Sequence, residues 1–273
     1  MAQPLVEVFG FPQSNHSADA VRHRNNKLCP FQPGSPPCTK VSVTSPLGVC
    51  TVSDGPGVAI TCPTRFKENW DIAKDAAAFF FPAGATYKIL PEIRIKSIDG
   101  SSAGNIDVVL AQLNPLGRMI DFGSIEIQAV YISGNVRDPF EFYMQSPQVN
   151  GPIGWLGAKY PRPDYLSSSR KRLAPQMIMK GGIFKAWGKK QAIALHKGFF
   201  NTLPALEEVP AGEESTADIA WFIYDLVPNP ATGRLVLTKV RTLYTEFGSA
   251  LASITTREAG SIEDFEAVLR RKL

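Results

Sequence analysis

The chain has 273 residues, 44% of them hydrophobic and 20% charged, with a formal net charge of +4. This composition excludes disorder and collagen-like repeats, and the length buries a sizeable core without disulfides. No apolar run approaches the roughly 20 residues of a bilayer span, and residues 1–10 lack the basic and apolar regions of a signal peptide, so a cytoplasmic protein is expected.

All four cysteines, Cys29, Cys38, Cys50 and Cys62, fall within 34 residues rich in Gly, Pro, Ser and Thr. Little apolar periodicity is available there to build a core, and a reducing compartment favours a metal over disulfides. Four sulfur ligands suit structural zinc or iron and leave no position open for catalysis. Eight, eleven and eleven residues separate successive cysteines, unlike the paired CxxC of common zinc ribbons, and His23 is an alternative ligand. Arg22, Arg24, Lys27, Lys40, Arg65 and Lys67 surround the segment, a way of presenting cations to nucleic acid. Residues 1–64 are therefore expected to form a metal-stapled, loop-rich DNA-binding segment, followed by a second unit over 65–273.

Thr64 is a candidate N-cap, and Phe66, Trp70, Ala73, Ala77 and Phe80 predict an amphipathic helix over 65–80. Extended runs follow at 87–95 and 106–113. A turn at Asn114-Pro115-Leu116-Gly117 leads into a third run, 119–132. On that run alternation puts Glu126 and Gln128 on one face and Ile125 and Ile127 on the other. Paired as a hairpin, the last two runs bring Asp107 close to Glu126, a site for a hard divalent cation, typically Mg2+. The bland alternative is an ordinary half-exposed sheet.

Residues 165–206 contain no Asp or Glu but carry Arg170, Lys171, Arg172, Lys180, Lys185, Lys189, Lys190 and Lys197. With Lys159 and Arg162 leading in, the region of about 159–200 resembles the footprint of a polyanion and is expected to contact DNA. Pro175, Gly181, Gly182 and Gly188 predict short helices and loops rather than one helix. The last third gives two strand-like runs, 218–227 and 234–245, and a closing helix from Ser261. No P-loop or GxGxxG is present.

The carboxylate, hairpin and Glu-x-Gln arrangement resembles the PD-(D/E)xK nuclease core, an α/β fold with a mixed sheet flanked by helices. There an Asp starts one strand and an acid-x-Lys sits on the next. Behind a four-cysteine segment, it resembles the NotI-type restriction endonucleases. The matching residues are Cys29-Pro-Phe, Cys38-Thr-Lys, Pro46-Leu-Gly-Val-Cys50, Cys62-Pro, Gly104-Asn-Ile-Asp107 and Ile125-Glu-Ile-Gln128, within about residues 20–132. The resemblance implies a type II site-specific deoxyribonuclease, a Mg2+-dependent homodimer cutting a GC-rich palindrome in double-stranded DNA. It also implies iron rather than zinc among the cysteines. Asp107 and Glu126 would be metal ligands, Gln128 would stand where most such enzymes place Lys, and Glu92 would match an additional acidic residue. Ile106-Asp107 departs from the Pro-Asp of the pattern. The competing function is a non-catalytic nucleic-acid-binding protein built on the cysteine segment and the basic run.

Overall fold

A computed structural model describes residues 3–157, 160–256 and 259–273. β1 (Leu5–Val8), β2 (Phe11–Pro12), β3 (Val49–Asp54) and β4 (Gly57–Ile60) form an antiparallel sheet in the order β2-β1-β3-β4. Leu5, Val8, Val49 and Val52 pack with Phe9, Leu47 and Ala59, and with Phe140 and Tyr143 from the helix Arg137–Gln145. Helix α1 (Ala18–Asn25) begins at Ser17, whose hydroxyl accepts the Ala20 N–H at 3.3 Å. The first 64 residues therefore hold sheet, helix and core where a loop-rich segment was expected. Their apolar residues come in groups too short to register as periodicity, and part of the core arrives from a distant helix.

The second sheet has six strands in the order β12-β11-β10-β7-β6-β5. They are β5 (Thr86–Lys96), β6 (Ser102–Leu113), β7 (Met119–Gln128), β10 (Gln191–His196), β11 (Ile219–Asn229) and β12 (Arg234–Thr245). Between β7 and β10, β8 (Tyr131–Ser133) and β9 (Arg162–Asp164) form a separate ribbon. β10 runs parallel to β7 and to β11, and the outer pairs are antiparallel. The expected turn between β6 and β7 is present: Asn114 Oδ1 accepts the N–H groups of Leu116 and Arg118, both at 3.0 Å.

One face of this sheet lies under α2 (Asp71–Phe80), where Ile72, Ala73, Ala76 and Phe80 cover Val108, Leu110, Ile125, Ile127 and Phe222. The helix predicted over 65–80 is interrupted. A 3-10 helix, Pro63–Trp70, kinks at Glu68 and Asn69, and Asn69 and Trp70 take left-handed φ values of 51° and 54° before α2 begins. The kink leaves Arg65 and Glu68 at the junction of the two sheets. Arg65 is fully buried. It donates to Glu7 Oε2 at 3.0 Å, to Glu68 Oε2 at 2.8 Å and to the Leu235 carbonyl at 2.9 Å, and Thr51 Oγ1 donates to Glu7 Oε2 at 2.5 Å. Removing one partner from a buried ion pair costs about 3–5 kcal/mol. The network crosses the division expected between residues 64 and 65.

The other face lies under a helical segment, 165–186, and the helix Phe247–Thr255. Leu173 and Met177 pack there on Ile193, Leu195, Trp221 and Ile223. The segment runs without a break through α-helical turns and two π-helical ones, Ser169–Leu173 and Met177–Gly181. Short helices and loops were expected because Pro175 and Gly181 break ordinary α-helices. The widened turn, in which the Ala174 N–H donates to the Ser169 carbonyl, accommodates the proline. Gly181 is small because the Phe247 ring would stand 2.7 Å from a Cβ there. Ser261 caps the closing helix Ile262–Arg270 as expected, accepting the Asp264 N–H at 3.2 Å. Among the described residues, no helix is long and apolar enough to cross a membrane.

Candidate active site

The register of β6 on β7 sets Val108 against Ile125, so Asp107 falls beside Glu126 at the edge of the ladder. Asp107 Oδ2 accepts the Ile127 backbone N–H at 2.8 Å. Ile125 and Ile127 face α2, while Glu126 and Gln128 are buried under the segment 165–186. Two residues of that segment hold them. Lys180 Nζ donates to Glu126 Oε2 at 2.6 Å and to the Asn105 carbonyl at 2.8 Å, and Gln128 Nε2 donates to Gln176 Oε1. Glu126 Oε1 and Gln128 Oε1 are buried and have no hydrogen-bond partner among the described residues.

Burial first, and then the neighbouring Asp107 charge, pushes the Glu126 carboxyl up to about 8, against the opposing pull of Lys180. A buried acid that resists ionisation, two unpartnered oxygens and a second carboxylate form an oxygen-only donor set. Such a set fits a hard divalent cation, whose charge would replace the proton on Glu126. Pro91 pairs with Val108 and Ile93 with Ile106, which leaves Glu92 opposite Asp107 on the edge strand. Glu92 is exposed and takes a left-handed φ of 57°, a conformation costing about 1–3 kcal/mol for a non-glycine residue.

Two hairpins bring the cysteines together. In the first, the Cys29 N–H donates to Pro36 O at 2.8 Å and the Cys38 N–H to Lys27 O at 2.8 Å. In the second, β3–β4, the Thr61 N–H donates to Cys50 O at 2.9 Å, next to Cys62. The four thiols line one cavity of about 290 Å³ and pack with Phe31. Burial pushes the Cys29, Cys38 and, most strongly, Cys50 thiols up. Backbone N–H bonds from Phe31 to Cys29 and from Lys40 to Cys38 favour the thiolates instead. All four are free of disulfides. Among the described residues, no three His, Cys, Asp or Glu side chains converge closely enough to hold a metal; the thiols ring the cavity instead of closing on a point. His23, the alternative ligand, packs on Phe11 with its Nδ1 2.8 Å from the Asp19 carbonyl oxygen, and it is not part of the cavity wall. Lys40 turns inward, donating to Val49 O at 2.5 Å and Thr61 Oγ1 at 3.1 Å.

The basic run divides in space. Arg170 and Lys171 are exposed, and the Arg172 guanidinium lies over the Tyr131 ring at 5.5 Å. Lys171, Arg172, Gln176 and Lys180 line a cleft of about 350 Å³ with Gly104 and Asn105. The other cations meet acids that the sequence keeps far away. Lys185 pairs with Asp218 at 2.8 Å, Lys189 with Asp121 at 2.5 Å and Lys197 with Asp225 at 3.1 Å. Lys190 donates to Phe79 O at 3.1 Å, over that residue's ring. Arg162 is exposed on β9, and Lys159 lies outside the described residues. Sequence reasoning placed Lys180 among the phosphate contacts and missed its bond to Glu126. No local signal marks it; only the packing of the helical segment on β7 does.

A mixed sheet flanked by helices, with a buried carboxylate paired to a half-buried one beside a cation-lined cleft, fits the core of a nuclease. The chain belongs to the NotI restriction endonuclease family: the family model described as Restriction endonuclease NotI matches residues 14–237. It is accordingly a type II restriction endonuclease, a site-specific deoxyribonuclease acting on double-stranded DNA. Membership decides against the non-catalytic binder. No curated protein matches the chain.

Proposed function

We propose that Asp107 and Glu126 are the metal ligands of a PD-(D/E)xK active site, with Gln128 and Glu92 completing it, in a Mg2+-dependent enzyme. The observation that carries this reading is the buried, unpartnered Glu126 oxygen beside the Asp107 carboxylate. A bound Mg2+ supplies Lewis acidity at the phosphate and a lowered water pKa. Asp107 and Glu126 would hold it. Gln128 does not titrate, so it orients the attacking water through its free amide oxygen while Gln176 fixes its nitrogen. Glu92, opposite Asp107, adds negative charge at the rim.

Family membership supports the finer points: a homodimer, whose two sites cut the two strands, and a GC-rich palindromic target, acting in the cytoplasm. The cysteine cavity is read as the site of a structural iron, with zinc as the alternative, around which the four thiols would have to draw in from the spread positions they hold here, in a segment of about 1–64 that contributes to DNA binding. The four-sulfur donor set and the N–H bonds to Cys29 and Cys38 support it. Arg162, Arg170, Lys171 and Arg172 are read as the DNA contacts around the site and Lys180 as the contact at its floor, while Lys40, Lys185, Lys189 and Lys190, expected among them, are held by partners within the fold.

The test is incubation of the protein with supercoiled plasmid in Mg2+ and in chelator, with mapping of the fragment ends. Discrete fragments in Mg2+ alone, absent for Asp107→Asn, support the assignment. Unchanged cutting by Asp107→Asn refutes it.

A further inference from the structure

The residue at position 128 is a glutamine whose amide nitrogen is tied to Gln176, so β7 places no cation beside its own carboxylate. A cation is there nonetheless. Lys180 is buried with its ammonium 2.6 Å from Glu126 Oε2 and 2.8 Å from the Asn105 carbonyl. An ammonium has three N–H donors, and these bonds use two of them. Arg172, Gln176 and Lys180 recur every four residues, which places them on one face of the helical segment, and that face lines the cleft. The cleft wall contains Lys171, Arg172 and Lys180 and no acidic residue, so it accepts a polyanion, and its floor is the lysine that touches Glu126. On the opposite wall Gly104, at a φ of +108°, lacks a side chain; a Cβ there would stand 3.9 Å from the Lys180 stem.

We propose that Lys180 is a catalytic residue whose ammonium contacts the scissile phosphate, brought to the reacting centre by the helical segment in place of residue 128. The inference rests on Asp107 and Glu126 being the active-site carboxylates. In the hydrolysis, the water oxygen bonds to phosphorus and gives up a proton to solvent as the P–O bond to the leaving oxygen breaks, and that oxygen takes a proton from solvent. Lys180 sets its ammonium against the phosphate oxygens as their negative charge grows, and Arg172 and Lys171 take the neighbouring phosphate.

The experiment compares Lys180→Met, Lys180→Arg and Asp107→Asn on a supercoiled plasmid that the wild-type enzyme linearises. Single-turnover rates are read across a Mg2+ titration carried to saturation. Affinity for a fragment spanning the mapped cut is read in Ca2+. Lys180→Met is expected to slow cleavage by about 10²-fold or more, the cost of one charge-stabilising donor. Its affinity should stay within about tenfold of wild type and its Mg2+ requirement should not change, while Lys180→Arg recovers part of the rate. Three results overturn the proposal: a wild-type rate, a rate restored in full by added Mg2+, or a loss confined to affinity. If Lys180→Met fails to fold, Lys180→Gln, which keeps donors but no charge, carries the same comparison. A Lys180→Met enzyme that cuts normally beside a dead Asp107→Asn refutes the lysine alone; an Asp107→Asn enzyme that cuts normally refutes the site.

Discussion

Asp107 accepts the backbone N–H of Ile127, so a side chain ties β6 to β7 where the ladder ends. An asparagine at 107 keeps an acceptor oxygen for that bond and loses only the charge. Asp107→Asn and Glu126→Gln should each abolish cleavage while leaving DNA affinity within about tenfold, roughly 1.4 kcal/mol. Removing a carboxylate lowers cation occupancy and also lessens repulsion of phosphates. Gln128→Ala should retain cation binding and lose about 10²-fold in rate, the loss of a positioning group. Single-turnover cleavage and gel-shift titration check all three, and normal cutting by either acid variant sinks the assignment.

Cys38→Ser and Cys50→Ser should each release the metal and weaken DNA binding, because a four-sulfur site leaves no spare ligand. Elemental analysis of the purified variants decides it: one ion per chain in both contradicts the site. Visible absorption of the wild-type protein separates ferric iron from zinc.

The cations should differ in how they respond to neutralisation. Replacing Arg170, Lys171 and Arg172 with neutral residues should flatten the slope of log affinity against log salt by about one unit per lost phosphate contact. Replacing Lys185 and Lys189, which are already paired with Asp218 and Asp121, should leave it nearly unchanged. Equal slopes for the two sets would show that the ion pairs open on DNA.

His196 is buried at the start of a short helix, where its Nδ1 accepts the Gly198 N–H at 3.2 Å and its Nε2 lies 3.3 Å from Asp225 Oδ1. Burial holds its pKa below the ordinary value, against the pull of Asp225 and, more weakly, Asp54, with Lys197 adding to the depression. The unfolded chain takes up a proton near pH 6.5 that the folded chain resists, so this contribution to stability is lost as pH falls below about 6.5. Thermal melts at pH 7.5 and 5.5 should show a larger drop for wild type than for His196→Asn. Parallel drops would remove His196 from the pH response.

The strands near the site were legible because their cues are local. The Asn114–Gly117 turn and the alternation through Ile125–Gln128 fixed the hairpin, and the hairpin put Asp107 against Glu126. What the sequence could not display were pairings between distant segments. Asp121, Asp218 and Asp225 neutralise lysines of the acid-free run only in three dimensions. The helix over 165–186 survives Pro175 through a π-wide turn that propensity does not anticipate. The N-terminal core was invisible because Phe140 and Tyr143, far along the chain, complete it.

The Arg65 network bears on the order in which the fold can be completed. Its closing partners are the Leu235 carbonyl and, through Glu68, the Leu237 N–H, while Asn15 donates to Gly233 O. A nascent chain makes Glu7, Thr51 and Arg65 early and must hold them without β12 until the strands that carry Asp107 and Glu126 and the helical segment that carries Lys180 have all been synthesised. Contacts of such sequence separation slow folding, because loop closure precedes the gain. Leu237 closes the ring by donating its N–H at 3.0 Å to the same Glu68 oxygen that accepts from Arg65.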